Sequence, residues 1–362
     1  MDTNRAAPLL RMADNIMREC IKDPSRLGVI FVLSVLGKST IREDYDGFSI
    51  SASFQKQNDL EDYIAAIRDF GFYVQTFVDE RDFFSWVLRG GFDDLTPNSK
   101  FVYTSAVNGI GPGRRALVPA FCSHMGISTL NQNAYSATVG RHKHHVSHLL
   151  ENLGLPVAKS WLIDKNGNWL GNDRPKNGQR VIAKATYEGS SIGLGSDGIL
   201  DYSDSSDAIF LDLANRIRQP VTVQEFLDGR EYEVPMFECN GLVEAWPQMV
   251  IDGSGPLTGE RILNYEKVWA EDYGYAEPGS ITEEIRSVLQ SVATKAYSIL
   301  GFKGIARIDI RMTDNSVAKI FDVSGTPDVT AMSSCASAIR EMGGSYRDVW
   351  LVSLASAIAQ PS

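Results

Sequence analysis

The sequence predicts an α/β protein of three units, in which an open α/β layer at the N-terminus precedes two parts of mixed α+β structure. In the first unit, an apolar strand at 27–36, an amphipathic helix at 60–70 and a strand at 72–78 alternate along the chain. Further on, segments 180–195 and 304–325 each join a strand to a polar motif. The length of the chain agrees with this division into three units, because 362 residues suffice for two or three stable domains.

The predicted domains are an N-terminal α/β domain at 1–131, a central domain at 132–228 and a C-terminal domain at 229–362. Pro156 stops the helix that precedes it. The remaining predicted elements are a strand at 101–107, helices at 115–126 and 141–153, a strand at 158–163, the strand that carries Lys184, an acidic hairpin within 304–325 and an amphipathic helix at 346–359.

Composition excludes several classes of function. The net charge of −10, with no basic stripe, argues against binding a nucleic-acid backbone. No apolar stretch reaches the roughly 20 residues of a membrane span, and the N-terminus lacks a secretory apolar core, so we expect a cytoplasmic protein without a membrane partner. The four cysteines have no C-x-x-C spacing and should be buried thiols. His144 and His148 have the i, i+4 spacing of metal ligands, but a solvated helix start is the favoured interpretation.

A strand with one lysine leads directly into a loop of small residues at 180–195, RVIAKATYEGSSIGLG. Backbone N–H groups of Gly189, Ser190 and Ser191 can approach an anion closely there, because the side chains are small. The loop lacks the Gly-Lys-Ser/Thr ending of a Walker A sequence and the spacing of a Rossmann fingerprint. It therefore predicts phosphate binding of another kind beside Lys184, and an ordinary hairpin with a polar tip is the alternative.

An acidic hairpin is the second signal. The segment 304–312, GIARIDIRM, alternates strictly, so Arg307, Asp309 and Arg311 should share one face of a strand. After a turn at 313–316, the returning strand should place on one face the residues Ala318, Ile320, Asp322 and Ser324.

Pairing Met312 with Val317 would make Asp309 and Asp322 diagonal neighbours. Two close carboxylates repel each other by several kcal/mol in a site shielded from water, unless a cation lies between them. Oxygen ligands favour magnesium, and Ser324 could supply a third oxygen. The alternative is a solvent-facing ladder of salt bridges with the arginines of the same hairpin.

Four segments in this order resemble the ATP-grasp superfamily, most closely the D-alanine–D-alanine ligases. They are AKATYEGSSIGL, VTVQEFLDGREYEV, GFKGIARIDIRM and AKIFDVSGTPDVTAMS. The resemblance runs from about residue 101 to the C-terminus. It implies a three-domain ATP-grasp fold that uses ATP and two magnesium ions, and members of the family are often homodimers.

The resemblance also implies roles for individual residues. Lys143 and Lys184 match the two phosphate-binding lysines, and Glu231 matches the acid that holds the ribose hydroxyls. The other implied nucleotide contacts come from the loop and the interdomain hinge, and they are Glu188, Gly189, Ser190, Gln224, Glu225, Phe226 and Leu227. The implied metal ligands are Asp309, Asp322 and Ser324.

Catalytic and substrate roles follow in the same way. Arg307 matches the arginine that supports the transferring phosphoryl group and the developing oxyanion. Segment 265–278 resembles a loop that closes over the site. The other implied contacts near the substrates are Ser191, Trp269, Asp328 and Ser333.

Departures from the family pattern concern the metal and the substrates. The family usually has asparagine at Ser324, glutamate at Asp322 and glycine at Asp328. In the closing loop, Val268 and Trp269 stand where lysine and tyrosine are expected.

The first domain departs further. The usual glycine-rich turn and glutamate after the first strand are replaced by VLGKSTIREDYDGFS, in which Glu43 or Asp44 could substitute. Asn108 stands where a histidine is common. We therefore expect that a different amino acid or short peptide is joined.

The leading hypothesis is an ATP-dependent carboxylate–amine ligase of specialised metabolism, which forms a peptide or amide bond between amino-acid-like substrates through an acyl phosphate. A D-alanine–D-alanine ligase of cell-wall synthesis is the alternative within that class. A nucleotide-binding module without catalysis is the alternative outside it.

Overall fold

A computed structural model of the chain describes residues 7–109, 111–130, 132–195, 198–313 and 317–359. The strands are β1 (Leu27–Val32), β2 (Tyr73–Phe77), β3 (Ser99–Thr104), β4 (Ser128–Thr129), β5 (Ser160–Ile163), β6 (Trp169–Leu170), β7 (Arg180–Ala185), β8 (Ile199–Asp201), β9 (Val221–Glu225), β10 (Glu231–Cys239), β11 (Leu242–Ala245), β12 (Gln248–Asp252), β13 (Gly255–Pro256), β14 (Gly274–Tyr275), β15 (Ala306–Met312) and β16 (Ala318–Ser324). The α-helices are α1 (Pro8–Lys22), α2 (Gln57–Arg68), α3 (Glu80–Leu88), α4 (Leu117–His124), α5 (Ala134–Val139), α6 (Lys143–Asn152), α7 (Asp207–Ile217), α8 (Tyr265–Ala270), α9 (Glu283–Ile299), α10 (Ser334–Glu341) and α11 (Arg347–Ala359).

The first sheet is parallel, with strand order β2-β1-β3-β4. Side chains alternate along a strand, so β1 contributes to an apolar core on each face of this sheet. Val29 and Phe31 pack in the core that contains α1, α2 and α11, whereas Ile30 and Val32 pack with α3 and α4. The predicted open α/β layer is confirmed.

Two antiparallel sheets follow. Strands β6-β5-β9-β7-β8 form one sheet, and its core includes Phe210 and Ile217 of α7. Strands β13-β12-β10-β15-β16 form the other, with β11 paired to β10 and β14 paired to β12. A bridge between Val157 and Ile320 lies between these two sheets, with Ala158 donating its N–H to the Ile320 carbonyl at 2.8 Å. The antiparallel sheets therefore meet beside β16.

The C-terminal helix α11 returns to the first sheet. The buried ring of Trp350 lies 5.2 Å from Phe31, 4.9 Å from Tyr63 and 5.0 Å from Tyr103, measured between ring centroids. Aromatic rings contribute large buried apolar areas, so this cluster stabilises the N-terminal core. We retain the three-domain division as a proposal in which α11 shares the first core. Its first boundary residue, 131, lies outside the described residues.

Most predicted elements are present with shorter bounds, but several helices, among them α1, α3, α5, α7, α9 and α10, were not predicted. Helix α1 has Pro8 in its first turn and buries Leu9, Ala13 and Met17 on one face. Proline at a helix start and apolar residues at this spacing are both sequence signals, so α1 was predictable.

The predicted register of the acidic hairpin is wrong. Asp309 lies directly opposite Asp322, not diagonal to it, and Arg307 lies opposite Ser324. Near the tip, the Thr313 N–H donates to the Val317 carbonyl, so the connection is longer than predicted. Residues 314–316 of the predicted turn lie outside the described residues.

A β-bulge on β16 accounts for the rest of the difference between the predicted and the observed register. The register shifts between Asp309 and Ile310, because Phe321 is an extra residue on β16. The predicted common face of β16 is therefore wrong at its centre: Ile320 and Val323 both enter the apolar core, whereas Asp322 and Ser324 line a cavity. On the unbroken strand β15, Arg307, Asp309 and Arg311 share the cavity face as predicted.

Candidate active site

One cavity of about 510 Å³ brings the motifs together. Its wall combines residues 51–56 of the first unit, the small-residue loop after β7, the hinge after β9, the β15–β16 hairpin and part of segment 262–273. The wall contains all but one of the predicted site residues, namely Lys143, Lys184, Glu188, Gly189, Ser190, Ser191, Gln224, Glu225, Phe226, Leu227, Glu231, Trp269, Arg307, Asp309, Asp322, Ser324 and Asp328.

Ser333 is the exception. It is buried and caps α10, because its Oγ accepts the Ala336 N–H at 3.2 Å and donates to the Thr330 carbonyl at 2.7 Å. Both bonds are typical of a helix N-cap. The predicted contact of Ser333 with a substrate carboxylate stays a prediction, and the bond to Thr330 connects Ser333 to the loop that carries Asp328.

The two predicted phosphate-binding lysines lie beside different partners. Lys184 Nζ donates to Gln224 Oε1 at 2.9 Å and lies 4.7 Å from the centroid of the Phe321 ring. Burial, with repulsion from Lys143, lowers the pKa of Lys184 to about 8. Lys143 Nζ forms an ion pair with Asp322 Oδ2 at 2.6 Å. Both ammonium groups thus lie at the cavity end bounded by the hinge and β16.

The two aspartates of the hairpin differ in electrostatic state. Arg307 donates to both carboxylate oxygens of Asp309, at 2.7 and 2.9 Å, and also forms an ion pair with Glu233 at 3.2 Å. Burial, together with the charges of Glu233 and Asp322, still raises the pKa of Asp309 to about 7. Burial acts on Asp322 in the same sense, but Lys143 and Lys184 hold its pKa below the usual value.

These two carboxylates suit a magnesium ion. Mg²⁺ in proteins is commonly held by one or two carboxylates, with phosphate and water oxygens completing an octahedron. Among the residues that the structure describes, no cluster of three or more His, Cys, Asp or Glu residues is suited to a metal. A magnesium site between Asp309 and Asp322 would therefore need oxygens from phosphate, water or Ser324. The elevated pKa of Asp309 fits this role, because a cation would relieve the repulsion that raises it.

Glu231 is oriented by Arg311, an arginine for which the sequence suggested only a surface pair. Arg311 Nη2 and Nε donate to Glu231 Oε2 at 2.8 and 3.0 Å, and both residues are buried. Arg311 Nη1 also donates to the carbonyl of Leu227 at 2.7 Å. The arginine thereby connects the hinge to β15, and the alternative of a solvent-facing salt-bridge ladder is wrong.

The small-residue loop has an unusual backbone. Ser190 and Ser191 are both at φ +51°, a left-handed conformation that non-glycine residues adopt rarely. Ser191 Oγ donates to the Leu263 carbonyl at 2.6 Å, and Ser53 Oγ donates to Ser190 Oγ at 3.0 Å. Contacts from two other parts of the chain therefore hold the loop in this conformation.

Glu188 was predicted to contact a nucleotide, but its oxygens bind protein groups. Oε2 forms an ion pair with Arg114, and Oε1 accepts bonds from the Tyr45 hydroxyl at 2.7 Å and from Gln219 Nε2 at 3.2 Å. Glu188 is 2% exposed. This position makes it a counter-ion between the first unit and the loop, and its direct contact with a nucleotide stays a prediction.

The segment predicted to close over the site starts with the short helix α8. The Tyr265 hydroxyl accepts the Ser49 N–H at 3.0 Å, and its ring lies 5.3 Å from Phe48 and 6.1 Å from Trp269. Trp269 is 47% exposed while lining the cavity. The segment therefore contacts the first unit across the mouth of the cavity.

The first unit does not supply the acid that was expected after β1. Glu43 is exposed, and the Asp44 carboxylate accepts the N–H of Ile50 at 2.7 Å, so neither lines the cavity. Asn108 Nδ2 donates to Glu80 at 3.0 Å, also outside the cavity wall. The carboxylate that the first unit does present is Asp59, in the first turn of α2.

Several cavity residues were missed at the sequence level, namely Asp59, Arg115, Arg141, Glu233 and Tyr273. Glu233 carried a signal, because it stands two residues after Glu231 and so shares its strand face. Asp328 is on the wall as predicted, and its carboxylate accepts bonds from the N–H and hydroxyl of Thr330 at 3.1 and 2.6 Å. Burial raises the pKa of Asp328.

The histidines at 142–148 have a different environment from the predicted solvated helix start. His142 is buried, and burial lowers the pKa of His142 and of His144 to about 4, so both rings are neutral at pH 7. A nitrogen of His144 lies 3.1 Å from Ser160 Oγ.

Within the described part of the chain, none of the helices is long and apolar enough to cross a membrane.

Comparisons with known proteins give a consistent result. Residues 149–353 match the family model described as the D-ala D-ala ligase C-terminus. The chain is 30% identical over 181 residues to a D-alanine–D-alanine ligase of Cupriavidus taiwanensis, a match that covers 50% of this chain and 53% of that protein. It is 25% identical over 230 residues to that of Oceanobacillus iheyensis, covering 62% and 60%. The chain thus spans about half the length of the first of these curated relatives.

Solved structures share the fold along most of the chain. The D-alanine–D-alanine ligase of Bacillus anthracis complexed with ATP superimposes with a TM-score of 0.67 at 14% identity, covering 92% of this chain and 97% of that one. The VanG D-Ala:D-Ser ligase of Enterococcus faecalis gives 0.64 at 15% identity, covering 91% and 98%. The family model covers more than half of the chain. The chain therefore belongs to the D-alanine–D-alanine ligase family and has its ATP-grasp fold.

Proposed function

We propose that the protein is an ATP-dependent carboxylate–amine ligase, which joins two amino-acid-like or short-peptide substrates with release of ADP and phosphate. One observation carries the proposal: Lys143, Lys184, Arg307, Asp309 and Asp322 converge on one cavity in a chain of this family. An inactive nucleotide-binding module would not need Arg307 and the two aspartates together on the wall of the cavity.

The first step is transfer of a phosphoryl group. An oxygen of the substrate carboxylate attacks the γ-phosphorus of ATP, the bond to the β,γ-bridging oxygen breaks, and ADP leaves. Lys184 and Lys143 hold the phosphates, and Lys143 is released for this from Asp322. Magnesium, held by Asp309 and Asp322, would neutralise charge on the β- and γ-phosphates.

The second step is attack by the amine. Its nitrogen adds to the acyl carbon of the acyl phosphate, and inorganic phosphate leaves from the tetrahedral intermediate. Arg307 lies at the end of the hairpin beside Asp309 and stabilises the negative charge on the oxyanion. The segment that begins with α8 covers the cavity, since it contacts Ser49, and so protects the acyl phosphate from water.

The choice of substrates is the open part of the proposal. Relatives named D-alanine–D-alanine ligase favour D-alanine, but the first unit places Asp59 in the cavity and has Asn108 outside it. We propose amino-acid-like substrates other than a pair of D-alanines, in specialised metabolism.

A paired-substrate screen tests the function. The protein is incubated with Mg–ATP and pairs of D- and L-amino acids, ADP is measured with a coupled assay, and products are identified by mass. Lys184→Ala should abolish ADP release, whereas Lys176→Ala, at an exposed lysine outside the cavity, should not change it. No amino-acid-dependent ADP release across the panel would refute the ligase function, and efficient formation of D-alanyl-D-alanine would identify the cell-wall activity instead.

A further inference from the structure

Two arginines on the cavity wall have no role in the steps above. Arg115 belongs to the turn that follows β3, and Arg141 lies two residues before Lys143. The guanidinium of Arg141 lies against the small-residue loop, because a Cβ added at Gly189 would be 2.7 Å from its Nη1. Arg141 therefore lies against the loop, and the charge of Glu188, at the start of the loop, acts on both arginines.

Around Glu188, positively charged side chains outnumber negatively charged ones. Arg114, Arg115 and Arg141 all interact with one carboxylate, Glu188, and only Arg114 forms an ion pair with it. Neither Arg115 nor Arg141 has an ion pair or a hydrogen bond with any residue that the structure describes, and the Nε of Arg115 is buried without a partner. Both arginines are half-buried. Three guanidinium groups near one carboxylate, partly removed from water, are unfavourable, so the arrangement favours an additional anion.

The pKa values of the two arginines agree with a site that favours an anion. Burial, followed by repulsion from Arg141 and Arg114, lowers the pKa of Arg115 well below its usual value. Burial and Arg114 lower the pKa of Arg141 to about 10. An anion bound between the two guanidinium groups would reverse both effects.

A third unsatisfied group lies on the same wall. Ser105, directly after β3, is 7% exposed, and its Oγ has no hydrogen-bond partner among the described residues. Buried hydroxyls are normally paired. A hydroxyl donor and two guanidinium groups on the wall of one cavity are a suitable set of ligands for a carboxylate, since arginine binds carboxylates through two parallel N–H bonds.

We propose that Arg115 and Arg141, with Ser105, bind a second carboxylate of the acid substrate, so that the group activated by ATP belongs to a dicarboxylic amino acid or a peptide ending in one. The assignment of this carboxylate to a substrate rests on the proposed ligase function, whereas the binding of an anion at this place does not.

Arg115 has different charged neighbours from the two lysines predicted to bind phosphate. Lys143 and Lys184 lie beside Asp322 and Gln224 near the hinge, whereas the charged groups that act on Arg115 are Arg141, Arg114 and Glu188. Arg141 is within electrostatic reach of both Asp322 and Arg307. A substrate held by Arg115 at one end could thus place its other carboxylate toward Arg307.

Calorimetry tests the subsite without turnover. Glutamate and glutamine, and aspartate and asparagine, each in both enantiomers, are titrated into protein saturated with magnesium and a non-hydrolysable ATP analogue. We expect at least one dicarboxylate to bind about tenfold tighter than its amide, since charge-assisted hydrogen bonds are lost with the amide. Arg115→Gln and Arg141→Gln should each reduce this ratio about tenfold, whereas Arg89→Gln, at an exposed arginine outside the cavity, should leave it unchanged.

Three results would overturn the proposal. Dicarboxylates that bind no tighter than their amides, or a ratio unchanged in both variants, would remove the subsite. Weaker binding of ATP relative to ADP in the variants would assign the arginines to the γ-phosphate. If Arg115→Gln does not fold, Arg115→Lys keeps the charge without the planar fork and should still reduce the ratio. Because binding is measured without catalysis, absence of ADP release would refute the proposed function and leave this result independent.

Discussion

The two faces of the cavity differ in how their residues are positioned. The strand face, formed by β7, β9, β15 and β16, presents Lys184, Gln224, Arg307, Asp309 and Asp322 from paired strands. The loop face is formed by residues 51–56, Asp59, Ser105, Arg115 and residues 188–191, and presents them from turns, strand ends and helix starts. The strand face keeps Lys184, Arg307 and Asp309 of the family pattern and departs from it at Asp322 and Ser324 of β16, whereas the first unit, which supplies much of the loop face, departs from it further. Chemistry shared by a family is thus held by backbone pairing, and substrate choice is left to segments that tolerate change.

The largest effect should come from the carboxylates of the strand face. Asp309→Asn combined with Asp322→Asn should lower the rate of ADP formation roughly a thousandfold at saturating magnesium, because several kcal/mol of metal-dependent charge stabilisation is lost. Asp201→Asn, at an exposed aspartate on β8, is the control. A loss below tenfold would show that these carboxylates do not hold the metal, and the contrast between the faces would disappear.

Replacement of Arg307 should lower the rate of the reaction more than the affinity for ATP. Arg307→Ala should preserve ATP affinity within a few-fold and lower kcat by about a hundred- to a thousandfold, as for loss of an oxyanion donor. Titration of ATP binding and single-turnover product formation measure the two quantities separately. Unchanged turnover would refute the assigned role.

A substitution at Glu188 tests whether this residue stabilises the fold or contacts the nucleotide. Glu188→Gln breaks the buried ion pair with Arg114 and should lower the free energy of unfolding by roughly 3 kcal/mol, within the range for breaking such a pair. Urea denaturation measures this change. If unfolding is unaffected while ATP affinity falls, the sequence-based prediction of a nucleotide contact is right instead.

Asp59 tests the loop face on its own. Asp59→Asn keeps an oxygen that can accept the Lys56 N–H, so the start of α2 should remain intact. We expect KM for one amino-acid substrate to rise about tenfold, as for loss of one charged hydrogen bond, with a much smaller change for ATP. Asp62→Asn, at an exposed residue of the same helix, is the control. Equal effects of the two variants would show that Asp59 contacts no substrate.

The smallest expected effect is a pH dependence of nucleotide binding. Lys184, with a pKa near 8, must be protonated to hold phosphate, so affinity for Mg–ATP should fall as the pH rises above about 8. Asp309, with a pKa near 7, must lose its proton to bind a cation, so affinity should also fall below about pH 7. Binding measured from pH 6 to 9 should therefore pass through a maximum. In Lys184→Arg the decline above pH 8 should disappear, because arginine stays charged.

The strand face could be predicted from the sequence as far as alternation is unbroken. On β15 the period of two placed Arg307, Asp309 and Arg311 correctly. On β16 it failed at Phe321, because a bulge at a non-glycine residue leaves no mark in the sequence. The bulge is what brings Asp322 directly opposite Asp309, so the prediction found the residues and missed their register.

The loop face could not be predicted in the same way. Arg115 and Arg141 are 26 positions apart on different elements, and no local pattern indicates that they meet. Long-range packing decides whether they do, and a single sequence does not encode it in any periodic form. The bonds of Ser333 that cap a helix are local, and its predicted contact with a substrate carboxylate stays a prediction.

Under the proposed function, the ion pair between Lys143 and Asp322 would make the binding of magnesium and the binding of phosphate cooperative. A cation that takes Asp322 frees Lys143 for phosphate, and a phosphate that takes Lys143 frees Asp322 for the cation. Each should therefore strengthen the binding of the other by the same factor, as thermodynamic reciprocity requires. We therefore expect the metal and the phosphates to bind more tightly together than either does alone.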